Sequence, residues 1–232
     1  GMRVVIPPIN PLKPTSMDPK VIAKVVNDCG VTFSFGSPAV WGKIARFSVD
    51  HAINFPKMKH LLVAGAPSSA TTLRLFRKIV PNGRFHTPLG ATECTPITTI
   101  SSDELDEAIL SRQESGGGFC VGRPTRNHTI RMIGITDDDV PMISEAKVLS
   151  EGDIGEIIVK GPVVTKLYYE NKPRFTNQMV RCGTGQEMSD TLTTKDVFGF
   201  ADAKHICAIL ETKPTIRLRL SIALAVLQAS IA

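Results

Sequence analysis

The spacing of apolar residues predicts three helices in the first 80 residues of the chain. In the first segment, valine and isoleucine occupy positions 21, 22, 25 and 26, a helical interval that indicates one buried face. Each segment is preceded by a residue whose side chain can accept a hydrogen bond from the first helical turn. These predicted caps are Asp18 before Pro19, Ser37 before Pro38, and the pair Ser68 and Ser69.

Short apolar runs between these segments predict β-strands. They cover residues 4–8, 31–35 and 60–64, and the last run is typical of a strand that is covered on both faces. Helices and strands alternate over residues 18–80. The alternation predicts an α/β fold, in which helices pack on a mainly parallel sheet.

The pattern changes after the glycine run at residues 116–118. Strand-like segments at 128–135, 154–160 and 163–169 are separated by polar turns, which predicts a small antiparallel β subdomain. We therefore place a boundary in residues 111–118, with an α/β subdomain at 1–115 and a β-rich subdomain at 116–210. Residues 211–232 form an atypical tail, which is either a native terminal helix or the product of a truncated or altered reading frame.

Composition narrows the class of protein. The chain has 232 residues, a net charge of +5 and 42% hydrophobic residues, as expected for a globular protein. The basic residues are scattered, so we expect neither nucleic acid nor an anionic membrane as a partner. The one sustained apolar run, at residues 220–232, is too short to span a bilayer as a helix.

Cysteine and histidine argue against a disulfide framework and a metal centre. The five cysteines form no CxxC pair and are odd in number, which favours a reducing cytoplasm. The five histidines show no ligand spacing along the chain, so the sequence predicts no histidine metal site. Cys94 has no neighbour in sequence that would activate it and is expected to be a buried small residue.

Three segments have residue types that suit a nucleotide. The first, residues 63–67, follows an apolar strand, where ligands sit in open α/β sheets; the alternative is a tight turn that needs small residues. In the second, residues 87–94, small residues would let a loop close on a ligand. There Thr92 could bind a phosphate oxygen and Glu93 a hard cation, unless both lie in a solvated turn. The third is Asp196, which could accept hydrogen bonds from ribose hydroxyls or could be a turn aspartate.

The order of several motifs resembles that of the AMP-binding superfamily, which comprises acyl-CoA synthetases, luciferases and the adenylation domains of peptide synthetases. Within it, the chain is most similar to the subgroup of fatty-acid–CoA ligases and β-lactone synthetases of olefin biosynthesis. The resemblance covers roughly residues 4–210. The motifs, in order, are Phe35-Gly36-Ser37-Pro38-Ala39, Ala64-Gly65-Ala66-Pro67, Gly90-Ala91-Thr92-Glu93, Val121-Gly122-Arg123-Pro124, Gly155-Glu156-Ile157-Ile158-Val159-Lys160-Gly161-Pro162, Tyr168-Tyr169 and Asn171-Lys172-Pro173.

The resemblance implies roles for individual residues and a set of ligands. Gly65, Ala66 and Pro67 would line the adenine pocket, together with Leu89, Gly90 and Ala91. Thr92 would contact the α-phosphate, Glu93 would be associated with Mg²⁺, and Asp196 would bind the ribose. Thr92 and Glu93 would thus be the catalytic residues, Glu93 the metal residue, and ATP or AMP, Mg²⁺ and CoA the ligands. The substrate would be a small carboxylic acid, either a fatty acid or a β-hydroxy acid.

Departures from the family pattern make the chain look like part of such an enzyme. Leu89 stands where the family has an aromatic residue that stacks on adenine, and Lys195 replaces the glycine before the ribose aspartate. The upstream Ser/Thr/Gly-rich phosphate loop and the C-terminal lysine domain have no counterpart. We therefore expect a piece that is inactive by itself, or a degenerate remnant that binds a nucleotide or a partner. An exposed face left by a missing half would favour self-association. A plain hydrolase is a further alternative, but Ser37 lacks a nucleophile elbow and is expected to cap a helix.

Overall fold

The computed structural model describes residues 1–91, 94–134, 144, 146–150, 152–164, 191–201 and 206–209, and for 191–201 and 206–209 it describes the backbone alone. The chain divides into two compact units. The first comprises Gly1–Pro88 and Ile100–Gly116, and the second comprises Leu89–Thr99 and the described residues from 117 onward. The first unit is therefore discontinuous in sequence, because the chain leaves it at residue 88 and returns at residue 100. The subdomain boundaries that the sequence analysis placed after residues 115 and 210 stay predictions.

Three parallel strands form the sheet of the first unit, as predicted. Strand β2 lies between β1 and β3, with Leu62 opposite Phe35 on one side and His86 on the other. The elements that begin in this unit are α1 (Pro19–Asp28), β1 (Phe33–Gly36), α2 (Pro38–Asp50), β2 (His60–Val63), α3 (Ala70–Ile79), β3 (Arg84–Ala91) and α4 (Glu107–Glu114). The alternation of helices and parallel strands confirms the predicted α/β fold.

Side-chain caps fix the starts of the predicted helices. The carboxylate of Asp18 accepts a hydrogen bond from the Lys20 amide at 2.9 Å, and the hydroxyl of Ser37 accepts one from the Val40 amide at 3.3 Å. In α3 the cap is Ser69 alone, whose hydroxyl accepts from the Thr72 amide at 3.2 Å. Each bond satisfies an amide that the helix itself leaves without a partner.

The core of the first unit lies on one face of the parallel sheet. Leu61, Val63 and Phe85 point to that face and are at most 1% exposed. Aromatic rings extend this core, with Phe76 edge-on to Phe85 at a centroid distance of 5.7 Å and Trp41 edge-on to Phe55 at 5.9 Å.

The opposite face of the sheet is open. Phe33 is 52% exposed and Phe35 is 49% exposed, although parallel sheets are normally covered on both faces. The expectation that residues 60–64 are covered on both faces was therefore wrong for this structure.

The second unit contains an antiparallel sheet, again as predicted. Its strands are β4 (Cys94–Ser101), β5 (Phe119–Pro124), β6 (Thr129–Ile133), β7 (Gly155–Lys160), β8 (Thr191–Ala201) and β9 (Ile206–Ile209). They lie in the order β4-β5-β9-β8-β7-β6, with antiparallel pairing at each step. Two of the three predicted strands correspond to β6 and β7. The third, at 163–169, is wrong for residues 163–164, which are in a turn, and its remainder lies outside the described residues.

The strand predicted at residues 4–8 is also wrong. This stretch has no strand pairing, and Val4 and Ile6 are 79% and 87% exposed. Pro7 and Pro8 have no backbone N–H, so this short apolar run has too few donors to pair with a neighbouring strand. Among the described residues, no helix is long and apolar enough to cross a membrane.

Candidate functional site

The first candidate surface is the edge at which β1 and β2 end. We call it the carboxyl edge, formed by Gly36 and residues 64–67. The Ala64 amide donates to the carbonyl oxygen of Gly36 at 3.2 Å, which ties the two strand ends together. Helix α2 begins two residues after β1 at Pro38, and α3 follows β2 after a short segment at Ala70. Helix N-termini favour anionic ligands, and open α/β sheets bind ligands at the ends of their strands.

The small residues predicted to line an adenine pocket lie on this edge. Gly65, Ala66 and Pro67 are all exposed, so a planar ring can reach their backbone. Gly65 has a φ angle of 89°, in the left-handed region that favours glycine. The sequence left two interpretations of residues 63–67, a tight turn that needs small residues and a ligand-binding loop. The two are compatible in this structure.

A buried hydroxyl that the sequence did not indicate lies beside these residues. Ser68 is 7% exposed, and its Oγ has no hydrogen-bond partner among the described residues. Its carbonyl oxygen accepts a hydrogen bond from Gln113 Nε2 at 2.8 Å, so α4 holds the segment in place. The two residues are 45 positions apart and α4 was not predicted, so no local signal indicated this contact.

The second candidate segment, residues 87–94, begins in the first unit, and its described residues from Leu89 onward belong to the second. Residues 87–94 were expected to form a loop, but Gly90 and Ala91 are part of β3, and β4 begins at Cys94. The hydroxyl of Thr95 donates to the carbonyl oxygen of Ala91. A Cβ atom on Gly90 would lie 3.0 Å from Thr95 Oγ1, so only glycine leaves this approach unstrained.

Leu89 and Ala91 point to the interior of the second unit, whereas Gly90 between them is exposed. Leu89 packs against the buried pair Met132 and Ile157, and Ala91 packs against a cluster that includes Cys94. The alternation follows from the strand geometry, in which successive side chains point to opposite faces. Among the described residues of this segment, Gly90 is thus more exposed than Leu89 and Ala91.

The remaining predicted site residues are described only in part. Thr92 and Glu93 lie outside the described residues, and their roles stay predictions. Asp196 was expected ahead of a strand, but its backbone lies within β8. The pairing of β8 with β7 passes from Thr194 opposite Ile157 to Phe198 opposite Glu156, so Asp196 is at the centre of an irregularity in the ladder. Bulges of this kind are common beside functional sites.

Two residues weighed as nucleophiles have structural roles. Cys94 is fully buried, and burial raises the pKa of its thiol, which agrees with the predicted buried small residue. Ser37 caps α2, as described above, so its hydroxyl is engaged by the backbone. Neither residue supports a hydrolase.

A pair of histidines meets on the open face of the parallel sheet. His60 Nδ1 and His86 Nε2 share a hydrogen bond of 3.1 Å, in which one ring donates and the other accepts. His60 is exposed and His86 is half-buried. Burial, with His60 and Arg84 as further causes, lowers the pKa of His86. The sequence had offered no indication of this pair.

Comparison with known proteins finds matches over most of the chain. The family described as AMP-binding enzyme matches residues 1–169. An olefin beta-lactone synthetase of Xanthomonas campestris pv. campestris is 35% identical over 190 residues, which cover 81% of this chain and 33% of that protein. A feruloyl-CoA synthase of an Amycolatopsis species is 27% identical over 170 residues, 73% of this chain and 30% of that protein.

A solved structure shares the fold. PA1221, an NRPS protein that contains adenylation and PCP domains, matches with a TM-score of 0.65 and 14% identity, over 85% of this chain and 31% of that chain. The chain described here spans about a third of the length of these two curated relatives.

Proposed function

The chain belongs to the AMP-binding enzyme family, and on that premise we propose that it is part of an ATP-dependent acyl-activating ligase. Membership confirms the resemblance recognised in its motifs. In the proposed reaction, a carboxylate oxygen attacks the α-phosphorus of ATP, which gives an acyl adenylate and releases pyrophosphate. A second nucleophile then displaces AMP from the acyl carbon. That nucleophile is either the thiol of CoA, which gives a thioester, or the substrate's own β-hydroxyl, which gives a β-lactone.

The observation that carries this proposal is the carboxyl edge with its exposed small residues. Gly65, Ala66 and Pro67 leave backbone accessible beside the N-terminus of α3, which suits a nucleotide. The buried hydroxyl of Ser68, which has no hydrogen-bond partner among the described residues, lies next to them. These features fit an adenylate, and they are the local support for nucleotide binding.

We assign the other contacts from the resemblance. Leu89, Gly90 and Ala91 would contact the adenine side of the nucleotide, Thr92 the α-phosphate and Asp196 the ribose hydroxyls. Glu93 would hold Mg²⁺, because a carboxylate is a ligand that this hard cation prefers. Bound there, the cation would stabilise the negative charge that develops on the phosphate oxygens.

We propose that these 232 residues have little or no activity by themselves. The sequence contains neither a Ser/Thr/Gly-rich phosphate loop with its lysine nor the lysine of the family's C-terminal domain. By the resemblance, cationic groups would stabilise the phosphate charge and the C-terminal lysine would reach the carboxylate, so these 232 residues by themselves would bind nucleotide without efficient turnover.

The substrate that we propose is a small carboxylic acid, either a fatty acid or a β-hydroxy acid. The similarity to an olefin beta-lactone synthetase favours the latter. A reducing cytoplasm is the proposed setting, in keeping with Cys29 and Cys94, neither of which forms a disulfide among the described residues. Self-association is also proposed, since half-exposed Phe33 and Phe35 lie on the open sheet face.

A non-catalytic nucleotide- or partner-binding remnant is the second candidate. It is favoured by Leu89, whose side chain packs against Met132 and Ile157 where the family pattern has an aromatic residue that stacks on adenine. Loss of stacking would weaken nucleotide affinity, by about 1–3 kcal/mol if the interaction resembles base stacking in single-strand binders.

Calorimetric titration of the chain with AMP and ATP, combined with a pyrophosphate-exchange assay, tests the proposal. We expect AMP binding that Ala66→Leu weakens, because the larger side chain would occupy the exposed edge, and no exchange. Ala108→Leu, at an exposed position in α4, is the matched control and should bind AMP like the unaltered chain. Robust exchange would refute the inactivity of the piece. Unchanged affinity of the Ala66→Leu variant would refute the location of the site, and absence of AMP binding would refute nucleotide binding by this chain.

A further inference from the structure

The pairing of β2 with β3 brings two imidazoles together that are 26 residues apart in sequence. His60 lies opposite Arg84, and His86 follows Arg84 by two residues, so both histidines are on the same face of the sheet. This is the open face, on which Phe33 and Phe35 are half-exposed. The ring centroids are 5.3 Å apart and the ring planes are inclined by 33°.

We propose that His60 and His86 form a two-histidine chelate for a divalent transition-metal cation such as Zn²⁺ or Ni²⁺. The site is independent of the proposed acyl-activating function, because it uses the start of β2 and the middle of β3, away from the carboxyl edge. A metal ion would replace the proton of the hydrogen bond between the two rings, and that proton would be released to solvent.

The separation of the two nitrogens matches the bite of such a chelate. Two ligands at about 2.05 Å from a metal ion, with an angle of about 90–110° between them, have nitrogens about 2.9–3.4 Å apart. His60 Nδ1 and His86 Nε2 are 3.1 Å apart, within that interval. In the chelate, each nitrogen lone pair would point at the ion, at an angle of about 40° to the line that joins the two nitrogens. Each ring would therefore have to turn by about that angle. The χ2 torsion of histidine has broad minima and His60 is exposed, so the turn requires no movement of the backbone.

The surrounding charges also suit a cation. Arg84, whose charge acts on His86, is paired with Asp103 through a contact of 2.6 Å between Nε and Oδ2. The carboxylates of Asp103 and Glu104 both act electrostatically on His86. These two carboxylates and one guanidinium carry a formal charge of −1 together, so the charge of Arg84 is offset for an approaching cation.

The described residues supply two ligands, so the coordination would be open. Among the described residues, no group of three or more His, Cys, Asp and Glu side chains gathers at one point. Water would complete the coordination shell, as in metal sites that retain exchangeable positions. We therefore expect reversible binding, with the affinities for Ni²⁺ and Zn²⁺ above that for Mn²⁺, in line with the preference of imidazole for the later metals.

Isothermal titration of the full chain with Zn²⁺ tests the site. We expect one cation per chain, and a dissociation constant that rises at least about ten-fold in His60→Asn and in His86→Asn, because each loses one of two ligands. The matched control is His51→Asn: His51 is an exposed histidine that stacks on Phe47 outside the sheet, and the control should bind as the unaltered chain does. Equal affinity in all variants would overturn the proposal, and so would a loss of binding in His51→Asn alone.

A measurement on the unaltered chain avoids any effect of the substitutions on folding. Addition of Co²⁺, which is paramagnetic, should broaden the backbone amide resonances around residues 60 and 86 in a two-dimensional NMR spectrum before others. Broadening centred on His51, His128 or His205 instead, or no selective broadening, would place the cation elsewhere and refute the chelate.

Discussion

The hydroxyl of Thr95 donates to the carbonyl oxygen of Ala91, so one hydrogen bond spans residues 92 and 93, for which we propose phosphate and magnesium contacts. Gly90 is packed against the same threonine. A Cβ atom at position 90 would lie 3.0 Å from Thr95 Oγ1 and 3.3 Å from Thr95 Cα.

We therefore expect Gly90→Ala to destabilise the chain by about 1–3 kcal/mol through overpacking. The cost should fall when Thr95→Ala removes the nearest atom, and a double-mutant cycle by urea denaturation measures that coupling. If the two substitutions are additive, the contact with the threonine hydroxyl is not the cause.

Gly83 is a position where even one methyl group cannot fit. A Cβ atom there would overlap the carbonyl oxygen of Met58 and lie 2.7 Å from that of Lys59, and both are backbone atoms that cannot turn away. Gly83→Ala should cost at least about 2 kcal/mol of unfolding free energy. Gly42→Ala, in α2, is the control: its Cβ would lie 3.5 Å from Thr72 Cγ2, and it should stabilise by up to about 1 kcal/mol. Equal effects in urea denaturation would contradict this description of the first unit.

Two adjacent serines before α3 should respond oppositely to substitution. Ser69→Ala removes the helix cap and should cost about 1 kcal/mol. Ser68→Ala removes a buried hydroxyl that has no partner in the described part of the chain, so it should be neutral or slightly stabilising. Thermal denaturation of the two variants side by side distinguishes them, and a greater loss for Ser68→Ala would mean that its hydroxyl is bonded.

Alkylation should distinguish Cys94 from Cys29. Cys94 is fully buried, and burial raises the pKa of its thiol, whereas Cys29 is partly exposed. Because the thiolate is the reactive form, native chain treated with iodoacetamide should be modified at Cys29 well before Cys94. Peptide mapping by mass spectrometry gives the order, and urea should abolish the difference. Early labelling of Cys94 in the native chain would contradict its burial.

The pKa of His86 sets the direction of a pH effect on stability. Burial, then His60 and Arg84, lower this pKa in the folded state below the ordinary value of 6.5. The unfolded chain therefore takes up a proton at His86 first as the pH falls, so the contribution of this residue makes folding less favourable below pH 6.5. His86→Asn removes that contribution. Urea denaturation gives the free energy of unfolding of the variant minus that of the unaltered chain, and this difference should be more positive at pH 5.5 than at pH 7.5. The same difference at both pH values would contradict the lowered pKa.

The sequence predicted elements whose signals are local. Asp18, Ser37 and Ser69 precede apolar periodicity directly, and all three cap helices. Residues 87–94 were expected to form a loop because Pro88 and Gly90 interrupt the apolar pattern, although β3 extends to Ala91 and β4 begins at Cys94. Those strands are held by neighbours far away in sequence, as when Thr98 donates to the carbonyl oxygen of Val121. Tertiary pairing, which a local pattern does not contain, determined them.

The candidate site was predictable to a similar extent. The ordered motifs indicated the family, and the structure describes Gly65, Ala66 and Pro67 at the end of a strand, where the pattern had put them. The support of that segment by Gln113 and the meeting of His60 with His86 were not predictable. Each contact joins residues 26 or more positions apart, and strand register and helix docking bring them together.

The interruption of the first unit has a consequence for how the chain is made. Residues Ile100–Gly116 complete that unit: Glu107 and Glu114 of α4 bind Arg74 at 2.8 and 2.6 Å, and Gln113 holds Ser68. A nascent chain that has reached residue 88 has β1, β2 and the part of β3 that pairs with β2, but none of these partners. At translation rates of about 5–20 residues per second, they follow within seconds, after the first strands of the second unit have begun to emerge. Part of the second unit is thus synthesised before the first unit is complete. A protein that ended at residue 88 would lack residues 100–116, which belong to the first unit.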